Sequence, residues 1–304
     1  MLELLRSPET LLGHVIDLGG GILRLRHPDG RLLTLKGVAP RVFHLLDRAT
    51  HGRSLGPTLP EDADLATALR RAGCLVPKVT PASRVSLIGS GPLAILLAVD
   101  LATRSMTRVS CLDHVSPGDA DGFDPGARRS VRAYFDGRTV PEQLSLSQRP
   151  WGDLRRCDTD LAIVACSGME ADRLVAAHLT AAGIVHVFAS ADAFSATIGP
   201  LVVPGRTACL NCTDIERTRD DPRWPATLSK LSTRSGGTHA GLARWASATL
   251  LTEVDWWLEH SASRLTSTSI TVCRQRVGPG SRDWEPDPTC ACRGRADAGL
   301  DVAA

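Results

Sequence analysis

The sequence has no uninterrupted apolar run approaching the roughly twenty residues that a membrane span requires. Its first residues, MLELLRSPETLLGHV, carry no basic segment followed by a long apolar one, so no secretory signal is read there. An excess of charge is also missing. Lys and Arg number 35 against 33 Asp and Glu, the net charge is +2, and the arginines are scattered rather than blocked. That balance leaves no electrostatic footprint for nucleic acid. His14, His44, His178, His186 and His239 have no H-x-x-x-H spacing, Ser190 lacks a G-x-S-x-G elbow, and no cysteine stands at a readable spacing from a histidine. Catalytic-metal, serine-hydrolase and thiol-nucleophile chemistry are therefore without a local motif. The expectation is a globular protein of the cytoplasm, with neither membrane nor nucleic acid as a partner.

What is present is a chain of 304 residues, 43% of them hydrophobic, which supports a sizeable core and two domains. Nine cysteines, an odd number without a secretory signal, argue for reduced thiols. Cys209 and Cys212 lie on a Pro/Gly-bounded turn in PGRTACLNC, and Cys290 and Cys292 form a second close pair in WEPDPTCAC. A tetrahedral metal needs soft ligands converging at about 2.3 Å, and close pairs on separate turns supply them. These residues are read as a structural zinc site that clips the end of the chain back onto its domain. A disulfide, or unrelated thiols, are the competing readings. The other cysteines, such as Cys111 in SCLDH and Cys166 in LAIVACSG, lie in apolar runs and are expected to be small buried hydrophobes.

Near the start, ILRLR (Ile22 to Arg26) and RLLTL (Arg31 to Leu35) are short β-type segments separated by His27-Pro28-Asp29-Gly30, which is hairpin chemistry. VAPRVFHLLDR places Val42, Leu45 and Leu46 on one helical face, opened by Pro40. EDADLATALRRA repeats the pattern, with acids first, arginines last and Gly73 as its stop. Residues 1–76 thus have winged-helix size, and 77–83 (PKVTPAS) read as a linker.

From Arg84 the pattern changes. RVSLIGSG, RVSCLDH, DLAIVACSG and VHVFAS are apolar strands alternating with helical stretches, which implies a Rossmann-like α/β fold, a parallel sheet covered by helices on both faces. The turn Gly89-Ser90-Gly91-Pro92-Leu93-Ala94 fits G-x-G-x-x-[GA], and Asp113 ends the next strand, where an acid can hold a ribose. A glycine turn can equally serve only to pack a helix close to a strand. The run DIERTRDDPR is expected to be a solvated helix, and HAGLARWASATLLTEVDWWLE a packed one. STSITVCRQRV alternates like a late strand, and residues 296–304 have no periodicity.

Taken together, the glycine turn, the acid after the second strand, GPLVVPGRTACLNCTDIERTRDDPRWP and the late WEPDPTCAC resemble the ThiF/MoeB-like fold of ubiquitin-activating-type enzymes. Within it the chain looks most like the cyclodehydratase-partner branch of azole-modified peptide biosynthesis. The resemblance covers residues 84–295 and implies zinc at Cys209, Cys212, Cys290 and Cys292. It also implies a leader-peptide clamp in residues 1–76, and often a homodimer.

The chain departs from the adenylating members. Pro92 and Ala94 stand where they have glycines, Val115 where they have a second acid, and Ser167-Gly168 where they have a metal-holding Asp followed by Asn. No lysine occurs between Val79 and Ser229, leaving Arg128, Arg129 or Arg132 as stand-in charges. Losing one such electrostatic group typically costs ~10²–10³ in rate, so ATP chemistry is expected to be lost and Gly89, Gly91 and Asp113 to be a vestigial nucleotide site. The favoured reading is a leader-peptide-binding scaffold that presents a precursor peptide to a separate ATP-dependent YcaO-type cyclodehydratase. Strand addition to the edge of the hairpin is the expected means, with Leu23, Leu25, Leu33, Leu35, Phe43 and Leu46 shaping the pockets. The alternatives are a small domain that only packs against the large one, and a nucleotide-dependent adenylating or dehydrogenating enzyme.

Overall fold

The computed structural model describes residues 9–50, 63–77, 83–103, 107–112, 130–147, 149–166, 169–232 and 237–292. The chain divides into two compact units, Met1–Thr80 with Leu258–Ser261, and Pro81–Trp257 with Ala262–Ala304. Among the described residues no helix is long and apolar enough to cross a membrane.

In the first unit, β1 (Glu9–Leu11) pairs with β5 (Leu75–Pro77), while β2 (His14–Asp17), β3 (Ile22–Arg26) and β4 (Leu32–Lys36) form an antiparallel sheet in that order. The turn between β3 and β4 carries Gly30 at φ +90°, a value that favours glycine, and Asp29 accepts from the Arg31 backbone N–H. Helices α1 (Pro40–Thr50) and α2 (Ala63–Arg71) supply Val42, Leu46, Ala66 and Leu69 to a core that also takes in Leu11, Leu23, Leu25, Cys74 and Leu75. Strand β3 is central, so its alternate leucines turn inward and Arg24 and Arg26 turn out. Leu45 has no described side chain, and Pro77 already belongs to β5.

The second unit is built on an eight-stranded sheet of order β13-β12-β11-β10-β9-β6-β7-β8. Its strands are β6 (Ser83–Gly89), β7 (Thr107–Leu112), β8 (Leu144–Ser147), β9 (Leu161–Cys166), β10 (His186–Ala191), β11 (Ser195–Val202), β12 (Thr268–Cys273) and β13 (Gly280–Asp283). From β10 through β9, β6 and β7 to β8 the pairing is parallel; from β10 to β13 it is antiparallel. The central strands are runs of Val, Ile, Leu and Ala buried on both faces, which is what a parallel sheet under helices demands. Ile88, Val164 and Phe188 turn toward α5 (Arg173–Ala181) and the cysteine loops, while the equally buried Leu87, Ile163 and Val187 turn the other way. Burying one such side chain is worth about 1.5–3 kcal/mol.

Helix α3 (Gly91–Ala102) packs across β6, β7 and β9, and its Asp100 accepts a 2.9 Å hydrogen bond from Ser247 of α8 (Ala240–His260). The order of the parallel strands reverses between β6 and β9. Such a switch point opens a crevice at the carboxyl ends of the strands, where ligands of open α/β sheets bind.

Candidate functional site

Each cysteine pair is placed by its local backbone. Strand β11 ends at Val202, and a turn held by Val203 and Thr207, with Gly205 at φ +78°, delivers Cys209 to the N-cap of α6 (Leu210–Asp220). Cys212 follows in the first turn of that helix. The second pair hangs from the loop after β13, where Asp287 accepts from the Thr289 N–H at 2.8 Å and the Asp287 carbonyl accepts from the Cys290 N–H at 3.1 Å. Trp284, 4% exposed, roots that loop by donating its indole N–H to Ser269 at 2.8 Å.

The four sulfurs of Cys209, Cys212, Cys290 and Cys292 are buried and lie within 4.8 Å of one another. Cys209 is 3.8 Å from Cys212 and 3.7 Å from Cys290, and Cys212 is 3.6 Å from Cys292. A tetrahedron with metal–sulfur bonds of about 2.3 Å has edges of about 3.8 Å, and these three edges match it. A disulfide would need about 2.05 Å, and all four are free thiols. The donor set therefore fits a soft divalent ion and is compatible with zinc. The Asp287 N–H donates to Cys212 Sγ at 3.4 Å, and Asn211 Nδ2 to Cys290 Sγ at 3.1 Å, bonds that favour thiolates. The hydrogen bond from Cys209 above all, and that from the Asp287 N–H, pull Cys212 down to about 5, whereas sharing that proton and burial push Cys209 up.

Helix α6 is not the solvated helix its charges suggest. Asp214 accepts from Arg173 of α5 at 2.7 and 2.8 Å and from the Trp224 indole at 3.0 Å, and Arg217 reaches Glu170 at 3.0 Å. Burial works against the charge of Arg173, but Asp214 and Glu170 more than restore it. Arg217 stacks on Trp224 and Trp284, and Arg282 on Trp284 at 4.2 Å. These contacts bind α5, α6 and the second cysteine loop into one piece, beside which a groove of about 470 Å³ is lined by Ala176, Ala177 and Thr180 of α5 and by Cys209, Cys290 and Cys292.

At the crevice, Gly89 (φ +151°) is required by packing, since a Cβ there would sit 2.3 Å from the Ala165 carbonyl oxygen of β9. Gly91 (φ +80°) opens α3 with Pro92 behind it. Asp113, Arg128, Arg129, Ser167 and Gly168 lie outside the described residues, and Arg132 donates to the Leu146 carbonyl at 2.6 Å. A polar cavity of about 80 Å³ lies between Cys166, Ser190, Glu170, Arg217 and Trp284, well under the ~300 Å³ at which small-molecule pockets usually begin. Of the remaining cysteines, Cys74, Cys111 and Cys166 are buried, but Cys157 is exposed on a 3₁₀ turn and Cys273 is half-buried, so the expectation of small buried hydrophobes fails for those two.

The residues expected to shape peptide pockets also divide. Leu23, Leu25 and Leu46 are interior core residues, because β3 is flanked on both sides and α1 covers its inner face; Leu33, Leu35 and Phe43 are half-buried and pack against that core. The hairpin's free edge is β4. Register and the His27–Arg31 bond direct the N–H and C=O groups of residues 33 and 35 toward β3 and those of Leu32, Thr34 and Lys36 away from it. Among the described residues nothing pairs with that edge.

The sequence matches no family model and no curated protein. Solved structures do share the fold. E. coli MccB superposes with a TM-score of 0.58 at 14% identity, over 97% of this chain and 99% of that one. The microcin C7 biosynthetic enzyme MccB in complex with N-formylated MccA gives 0.55 at 14% identity, over 94% and 99%. A heterocyclase in complex with substrate and cofactor gives 0.53 at 12% identity, over 95% of this chain and 40% of the heterocyclase. The chain thus shares the MccB fold along nearly its whole length.

Proposed function

We propose that this chain captures the leader segment of a ribosomally made precursor peptide and presents it to a separate ATP-dependent YcaO-type cyclodehydratase for azoline formation. The observation that carries this reading is the open edge of β4. It offers the N–H and C=O groups of Leu32, Thr34 and Lys36, unpaired among the described residues, to an extended chain, with the half-buried Leu33, Leu35 and Phe43 on the inner side to receive alternate side chains. The fold shared with MccB bound to its MccA peptide, and with part of a heterocyclase bound to substrate, supports a role in peptide modification. The second unit serves as a scaffold: Cys209, Cys212, Cys290 and Cys292 would hold a structural zinc, which supplies no reaction step but fastens the loop after β13 to the start of α6.

The test is anisotropy of a labelled leader peptide from a neighbouring precursor gene, with the full chain. Thr34→Pro removes only an outward N–H and should weaken capture at least about tenfold while leaving the circular dichroism unchanged. Undiminished binding would place the peptide elsewhere. A second reading, carboxylate adenylation, is favoured by the shared fold with MccB solved with ATP, at a TM-score of 0.56 and 14% identity. Saturating ATP should raise the melting temperature on that reading and leave it unmoved on the first.

A further inference from the structure

The outer face of the β2-β3-β4 sheet has a composition that the edge alone does not use. Register places His14 beside Arg26 and Leu32, Ile16 beside Arg24 and Thr34, and Ile22 beside Lys36. Of these, Arg24, Arg26, Thr34 and Lys36 are exposed, as are Ile16 (44%) and Leu32 (54%). No acidic side chain of the three strands stands on this face, because Asp17 falls in the row of Leu23 and Leu35 on the other one. The nearest turn acid, Asp29, is held by Arg31 at 2.6 Å. None of Arg24, Arg26 and Lys36 has an ionic or hydrogen-bonding side-chain partner among the described residues.

A strand added at β4 must alternate. Side chains that do not enter the Leu33, Leu35 and Phe43 side emerge on this outer face, beside Leu32, Thr34 and Lys36, at cross-strand distances of about 5 Å. Arg24 stands one strand further, about 10 Å away, behind the short side chain of Thr34, and a guanidinium can reach over a threonine where it could not pass a larger residue. Arg26 sits behind the bulkier Leu32. Resting on the peptide-capture reading above, we propose that Arg24 and Lys36 make the site select acidic segments. The bound peptide would carry carboxylates at two outward positions spaced by two residues, one opposite Thr34 within reach of Arg24 and the other beside Lys36, with aliphatic residues between them turned inward. This surface is a specificity filter laid alongside the backbone pairing that supplies affinity.

The test uses the full chain and labelled peptides of about ten residues. All carry valine at alternate positions, with glutamate, glutamine or lysine between. The wild-type chain should bind the glutamate peptide about tenfold more tightly than the lysine peptide, a preference that shrinks with added salt. In Arg24→Glu/Lys36→Glu the order should invert, and in Arg24→Gln/Lys36→Gln it should flatten; all substituted side chains are exposed, and circular dichroism verifies the fold. Equal binding of the three peptides, or a glutamate preference that survives charge reversal, overturns the filter. If that equal binding is still lost in Thr34→Pro, edge capture stands without it. Binding of none of the peptides overturns both.

Discussion

Cys212 and Cys292, 80 positions apart in the chain, hold their sulfurs 3.6 Å apart in the interior. Two loops that leave different strands thereby meet at a point where four thiols would otherwise crowd one another without a bond between them. A shared ion would remove that conflict, because thiolates that repel as bare anions would become ligands of one cation.

The purified protein should accordingly carry about one zinc per chain by elemental analysis. Cys212→Ala should lose the metal and lower the melting temperature by about 10 °C or more, since several kcal/mol of ligation disappear and each costs about 2–4 °C in a unit of this size. A strong chelator should act on the wild type in the same direction and leave Cys212→Ala unaffected. Metal-free protein with an unchanged melting temperature would reduce the cluster to a coincidence of packing.

Gly89→Ala should be strongly destabilising even without any ligand. The new Cβ would stand 2.3 Å from the Ala165 carbonyl oxygen and 3.1 Å from the Ala165 Cβ, at a φ of +151° that side chains avoid. A loss of about 3 kcal/mol or more in urea unfolding is expected. If the glycine served only an approaching phosphate, the stability of the free protein would not change.

The same glycine illustrates how much could be read beforehand. The cores of β6, β7, β9 and β10 are legible because burial on both faces leaves continuous apolar runs, and the cysteine quartet because close pairs bounded by Pro and Gly are a spacing signal. Strand β11 is not legible, since Gly199 and Pro200 interrupt it; yet Gly199 is there because the Thr268 carbonyl of β12 comes within 2.3 Å of where a Cβ would be. Strand β13, Gly-Ser-Arg-Asp, lies at the sheet's edge and carries no apolar residue to betray it. The charges of α6 look solvated because their partners, such as Arg173 for Asp214, are 41 positions away and leave no local pattern. Alternation identified β3 as a strand, but which of its faces looks inward depends on flanking strands whose pairing the sequence does not display.

Glu253 and Arg264 should respond unequally to substitution. The Glu253 carboxylate is 3% exposed and accepts from the Ser263 hydroxyl at 2.8 Å, the Arg264 N–H at 3.0 Å and Arg264 Nε at 2.7 Å, tying α8 to the segment that follows it. Glu253→Ala strands several donors at once and should cost about 3 kcal/mol. Arg264→Ala removes a side chain that is 76% exposed and leaves the carboxylate its other two donors, so about 1 kcal/mol is expected. Equal losses in urea unfolding would mean that the ion pair, rather than the buried carboxylate, organises the segment.

His186 sets a pH limit on stability. Its ring is fully buried at the start of β10, against Phe188 with ring centroids 5.2 Å apart, and Nδ1 is 2.7 Å from the Ile184 carbonyl. A carbonyl only accepts, so Nδ1 carries the proton and Nε2 is left as a buried acceptor without a partner among the described residues. Burial, against the smaller opposing effect of that hydrogen bond, pulls its pKa down to about 4 from the 6.5 of the unfolded chain. The folded state therefore holds neutral imidazole, and its stability is fully present above pH 6.5. As the pH falls from 6.5 to about 4 the unfolded chain takes up a proton that the folded one refuses, for a total loss of about 3 kcal/mol, of which about 2 kcal/mol has gone by about pH 5. His186→Leu should lower stability at neutral pH, because the Ile184 carbonyl loses its donor, yet it should remove this part of the acid sensitivity. Urea midpoints of the two proteins should thus converge between about pH 7 and pH 5. Parallel lines over that range would show that the imidazole reaches solvent when it titrates and is not held buried.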